Sequence, residues 1–125
     1  MSPRIDSDYL IVMEITERQE GNILVIAVEG RIDHTGAEAF QQFTVNRINE
    51  GARSLVIDFA KTTFVASMGI RAIIVPAQEV SRVGGRFGLI GLTPQVQQLF
   101  EVAGLLTVFN TYPTLADAAA DGDWA

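Results

Sequence analysis

Ser67 is the side chain in this sequence best placed for chemistry. It stands in Phe64-Val65-Ala66-Ser67-Met68-Gly69, between a buried-strand run, Leu55-Val56-Ile57-Asp58, and an apolar helix. A helix N-terminus gathers unpaired N–H groups and the positive end of the dipole, so a phosphate would be well received there. Residue chemistry leaves Ser67 two roles. It is either a helix N-cap, worth about 1 kcal/mol and needing no function, or a phosphate acceptor or partner contact. The cap is the simpler reading. Asp33 similarly ends a strand and arranges the loop ahead of a helix, and Asp58 ends its strand where carboxylates bond neighbouring loop amides.

An enzyme needs a constellation, and few parts are present. His34 is the only histidine. A triad of Ser67, His34 and Asp33 or Asp58 lacks the Gly-x-Ser-x-Gly elbow, so His34 reads as a surface residue in a strand–helix loop. No ligands cluster at metal-binding spacing, and the absence of cysteine excludes disulfides and thiolate metal sites. Gly84-Gly85-Arg86-Phe87-Gly88 is glycine-rich but follows a helix, the reverse of a phosphate loop. The expectation is a protein without catalysis, cofactor or metal.

The elements that must hold these residues follow from periodicity. Residues 1–10 are polar and read as a flexible N-terminal segment, 11–120 as the domain, and 121–125 as a C-terminal tail in which Trp124 either docks or dangles. Val12–Thr16 and Ile23–Glu29 form a hairpin around Glu20-Gly21-Asn22. Thr35 to Glu38 fits a capping box, opening a helix that buries Phe40, Phe43 and Ile48 and ends near Gly51. Leu55–Phe59 is a central strand, apolar on both faces as a covered parallel strand should be. The next helix runs from about Gly69 to Val83, closed by Gly84-Gly85, with Ile70, Ile73, Ile74, Ala77 and Val80 as its stripe. Pro76 lies inside it at a cost of roughly 3 kcal/mol, and predicts a kink, not a break. Phe87–Leu92 is a strand; Thr93-Pro94 starts a helix ending at Gly104; Leu106–Phe109 is a last strand; Thr114–Asp117 opens a last helix. The order is ββαβαβαβα: an α/β fold with one mixed, mostly parallel sheet flanked by helices.

Fifteen acidic residues outnumber nine Lys+Arg, for a formal charge of −6. The arginines are scattered and make no basic stripe, which argues against nucleic acid and leaves a protein as the natural partner. No apolar run approaches the roughly 20 residues of a spanning helix, so no membrane insertion is expected. The leading MSPRIDSDYL is no secretory signal. The chain is expected to be cytoplasmic.

Two motifs resemble a known family. Gly30-Arg31-Ile32-Asp33 resembles the Gly-x-aliphatic-Asp that ends the second strand of STAS domains. Val56-Ile57-Asp58-Phe59, followed by Phe64-Val65-Ala66-Ser67-Met68-Gly69-Ile70, resembles their strand, aromatic and helix-start stretch. The βα order fits from about Met13 to Ala120. The resemblance is to bacterial anti-sigma factor antagonists, and implies a cytoplasmic partner-switching protein that binds an anti-sigma factor, often a serine kinase, and so frees a sigma factor. In that family phosphate is accepted by the serine or threonine just before the glycine, within Asp-Ser-Ser-Gly or Asp-Ser-Thr-Gly. Here that position is Met68, the aspartate is Ala66, and only Ser67 keeps a hydroxyl. A thioether cannot accept phosphate.

The leading expectation is therefore an antagonist without the usual switch, meeting its partner through Asp33, Ser67, Met68, Gly69 and Arg71. Alternatively, Ser67 has become the phosphoacceptor one residue earlier. In a third reading the chain is a soluble STAS subunit of a lipid-transport or stress-sensing complex, or a module binding a nucleotide or lipid at the carboxyl ends of its strands.

Overall fold

The computed structural model describes residues 4–7, 10–122 and 124. Seven strands and four helices follow in the order β1 Arg4–Ser7, β2 Leu10–Glu20, β3 Ile23–Ile32, α1 His34–Asn49, β4 Ser54–Asp58, β5 Thr62–Val65, α2 Ser67–Arg82, β6 Arg86–Ile90, α3 Pro94–Val102, β7 Asn110–Tyr112 and α4 Leu115–Ala120. They make one sheet in the order β1-β2-β3-β4-β6-β7, with β5 also on β3. β1, β2 and β3 pair antiparallel. From β3 onward every pairing is parallel. This is the mixed, mostly parallel sheet that the βα alternation demands.

Strand alternation sends apolar side chains to both faces. Leu55 and Ile57 of β4, Ile26 and Val28 of β3 and Leu89 of β6 enter the larger core beneath α1, α2 and α3. Ile23, Val25, Val56 and Ile90 point the other way, where Ala118 of α4 and Trp124 cover them. Gly88 leaves room there: a Cβ on it would lie 3.2 Å from Cη2 of Trp124. Nε1 of Trp124 donates to the Ala118 carbonyl at 2.9 Å, and the Arg86 guanidinium stacks 4.2 Å from its ring centre. Trp124 therefore docks.

Several elements differ from the sequence-based expectation. Within the leading segment expected to be flexible, Arg4–Ser7 pairs with β2 as an edge strand. Leu10 of that segment opens β2; its residues 1–3, 8 and 9, and residues 123 and 125 of the tail, lie outside the described ones. Beyond the expected strands, residues after Asp58 form a further one, β5. β4 pairs with the first half of β3 (Leu24–Ala27) and β5 with its last three residues (Gly30–Ile32), so both share one edge. Between them the chain jogs. Asp58 Oδ1 accepts from the Ala60 amide at 2.9 Å, and the buried Thr62 hydroxyl donates to the Val28 carbonyl at 2.7 Å. The last strand is Asn110–Tyr112, not Leu106–Phe109. The apolar run before it folds into turns, with the Val108 and Phe109 amides both donating to the Leu105 carbonyl. This delivers Phe109 to the core beside Phe87 and Phe100. As expected, α2 is not broken at Pro76, which lies buried inside it.

Candidate interaction site at the start of α2

The site is built where β3 and β5 both end. β3 finishes at Ile32, and Asp33 then caps α1. Its Oδ1 accepts from the Gly36 amide at 2.9 Å, while its carbonyl takes the Ala37 amide at 2.8 Å. Asp33, not Thr35, is thus the N-cap, because the first helical bond already belongs to residue 33. One strand over, β5 ends at Val65. The Ala66 amide donates to the Ile32 carbonyl at 2.9 Å, extending the ladder by one rung before α2 begins.

That rung fixes the register of the helix start. Ala66 occupies the N-cap position with extended backbone (φ −73°, ψ 166°) and provides no side-chain cap. Ser67 is the first helical residue, so the expectation that its hydroxyl caps α2 is corrected. The Ser67 side chain is exposed, and no described residue hydrogen-bonds its hydroxyl. Met68 follows at 47% exposure, when most large apolar side chains of the chain are buried.

Gly69 has a different task. It is buried, and a Cβ there would lie 2.8 Å from Val65 Cγ1, 2.9 Å from Ile32 Cγ2 and 3.2 Å from the Ile32 carbonyl oxygen. Glycine lets the first turn of α2 rest directly on the end of β3. It holds the Ser67–Met68 ledge in place and adds almost no surface of its own.

Asp33, Ser67, Met68 and Gly69 thus converge through Ile32, which adjoins Asp33 in sequence and touches the start of α2 in space. Arg71 is exposed one turn further along α2, and with Met68 it lines a shallow depression of about 290 Å³ between α2 and α1. The α1 wall, including His34, Glu38 and Gln41, was not among the expected site residues. Its signal was available: positions 34, 38 and 41 share one helical face at i, i+4, i+7 spacing. Close by, Arg31 lies 4.7 Å from the centre of the Phe64 ring, a cation–π contact across the β3–β5 pair.

No catalytic geometry joins these groups. His34 makes no hydrogen bond to Ser67, and Asp58 is committed to the Ala60 amide. Among the described residues no three His, Asp or Glu are grouped to hold a metal ion. No helix among them is long and apolar enough to cross a membrane. The arrangement offers an exposed ledge on a backbone fixed from below.

Known proteins share this architecture. A model of the STAS domain family matches residues 14–118. A candidate anti-sigma factor antagonist, BtrV of Bordetella bronchiseptica, is 26% identical over 108 residues, 86% of this chain and 93% of that one. The crystal structure of an anti-sigma factor antagonist from Mycobacterium paratuberculosis superposes with a TM-score of 0.77 at 26% identity, covering 85% of this chain and 90% of the other. The anti-sigma factor antagonist SpoIIAA in its unphosphorylated form shares the fold, with a TM-score of 0.72 at 24% identity over 83% of this chain and 91% of that one.

Proposed function

The chain belongs to the STAS domain family, and we propose that it is an anti-sigma factor antagonist working through the turn and helix start at 66–71. It docks on an anti-sigma factor of the serine-kinase kind in the cytoplasm and so frees a sigma factor. Relatives named as antagonists support the general activity. The observation that carries the site assignment is the exposed Ser67–Met68 ledge, with Met68 47% exposed above a buried Gly69. A partner can reach this surface without any rearrangement, and the backbone beneath it has little freedom left to lose on docking.

Met68 gives the ledge a soft apolar contact that adapts to the opposing surface. It also removes the hydroxyl at the position before the glycine, so docking is not switched there by phosphate. The direct test is calorimetry of wild type and Met68→Asp against the anti-sigma kinases encoded in the same genome. Setting a carboxylate against an apolar seat costs about 1–3 kcal/mol, so the variant should bind about tenfold more weakly or worse. Equal binding by both proteins would remove this patch as the interface.

One observation favours a second regulatory reading. Ser67 is exposed, and its hydroxyl has no intramolecular bond to give up. A phosphate there would meet the positive end of α2 and place about −1.5 to −2 charges on the ledge. Incubation with the partner kinase and ATP, followed by intact mass, tests it. An unchanged mass eliminates Ser67 as acceptor for that pair.

A further inference from the structure

Arg71 is a cation without an anion in a chain whose arginines are mostly paired. Arg18 meets Glu20, Arg47 meets Glu17 and Glu50, Arg82 meets Glu79, and Arg86 meets Asp121. Arg53 donates to the Ile48 and Ala52 carbonyls. Among the described residues Arg31, Arg53, Lys61 and Arg71 show no ion pair; Arg53 is held by those carbonyls, Arg31 is stacked on Phe64, and Lys61 sits between β4 and β5. Arg71 makes no ion pair and no cation–π contact with a described residue, although Glu38 and His34 line the same depression.

Its surroundings are specific. In the α1–α2 depression Arg71 stands beside the exposed Met68, with the buried Ala37 and Ala72 between the helices and Gln41 on the α1 side. Glu38 lines the same depression and makes no ion pair. We propose that this depression seats a partner segment in which a carboxylate stands next to an apolar side chain. The carboxylate bridges Arg71, the apolar group packs on Met68 above the two alanines, and the Gln41 amide serves the segment's backbone. A carboxylate fits better than phosphate, because Glu38 penalises a doubly charged group more than a singly charged one. The inference rests on the docking function proposed above. It adds the sign of the partner's charge and extends the interface onto α1.

Calorimetry against the same anti-sigma kinases, at low and moderate salt, tests it with wild type, Arg71→Glu, Glu38→Gln and Met68→Asp. Both helix residues are exposed, so far-UV circular dichroism should superimpose for all four proteins. A like charge facing the partner's carboxylate should weaken Arg71→Glu by about tenfold or more. Glu38→Gln should bind as tightly as wild type or more so. The wild-type affinity should fall with salt, while that of Arg71→Glu should rise as the like-charge repulsion is screened. If Arg71→Glu binds undiminished while Met68→Asp is impaired, the acidic seat is wrong and the docking function stands. If Glu38→Gln binds more weakly, or millimolar inorganic phosphate displaces the kinase, the carboxylate assignment falls. If wild type binds no kinase, the inference and the function fall together.

Discussion

Replacing Trp124 with alanine should remove most of the second core without touching the ledge. The indole is only 8% exposed, and it covers Val25, Val56 and Ile90 on the sheet face opposite α1 and α2. An aromatic ring of this size buries about 200 Å², worth about 5 kcal/mol as an upper bound. The bond from Nε1 to the Ala118 carbonyl and the Arg86 stack add about 1 kcal/mol each. Against this, the segment after α4 recovers backbone entropy once its anchor is gone, about 1–2 kcal/mol for each residue released. The net loss is about 3 kcal/mol, and the melting temperature should fall by about 10 °C. Urea unfolding followed by far-UV circular dichroism suits the comparison, because the variant has lost the chain's only tryptophan. Trp124→Phe, which keeps the apolar bulk and loses the donor, should fall between the two. A loss below about 1 kcal/mol would mean that Trp124 spends its time off the sheet, and the second core as described would be wrong. Kinase binding by Trp124→Ala at a temperature where it is folded should match wild type.

Two further outcomes follow from local geometry. Glu17 accepts two hydrogen bonds from the Arg47 guanidinium, at 2.8 and 3.0 Å, and these hold its carboxyl below the usual range. The pair's stabilisation is therefore complete above the unfolded carboxyl's pKa and disappears as pH falls through the lower folded value. Glu17→Gln should cost about 0.5–1 kcal/mol at pH 7, and in thermal melts taken as pH falls through that lowered value the two proteins should converge. Gly85 packs so closely that a Cβ would lie 2.3 Å from the Arg53 carbonyl oxygen and 2.5 Å from Val80 Cγ2. Gly85→Ala should therefore lower stability by about 2–3 kcal/mol in denaturant titration, while Gly84→Ala, which meets only its own φ of +83°, should lose less.

What the sequence disclosed depended on how much each signal relied on tertiary pairing. Thr93 and Thr114 cap α3 and α4 as read, because an N-cap needs only its own next three residues. Asp33 and Thr35 both carry a suitable oxygen two positions apart, and local chemistry does not choose between them. The end of the β3 ladder at Ile32 does. The same holds for Ser67. Its rank in α2 is set by the rung from Ala66 to Ile32, a contact 34 positions away in sequence that no local pattern encodes. β5 is hidden in the sequence because Thr62 and Thr63 break the apolar run, yet Thr62 is fully buried and bonds Val28. Convergence of residues 33 and 67–69 was legible through the strand–helix pattern and the family resemblance. For the α1 wall only the shared helical face of positions 34, 38 and 41 was legible; that this face meets α2 follows from how the two helices pack together.

Those two corrections at the helix start bear on regulation. Had Ser67 been the cap, a phosphate on it would have removed a hydroxyl bond worth about 1 kcal/mol, mixing a cost to the fold with any effect on binding. As the first helical residue, with its hydroxyl unbonded and with Ala66 in the cap position, it carries no such burden. A charge added at residue 67 would gain from the helix dipole and leave the Ile32–Ala66 rung and the Gly69 packing untouched. Arg71 lies four residues on, within reach of the same helical face. A phosphate on Ser67 would therefore compete with a partner's carboxylate for the one unpaired cation in the depression. Neutral Met68 at the neighbouring position titrates nothing and accepts nothing, so it keeps the apolar half of the ledge constant. The electrostatic half, from residue 67 to residue 71, is the part of this surface whose character a phosphate on Ser67 would reverse.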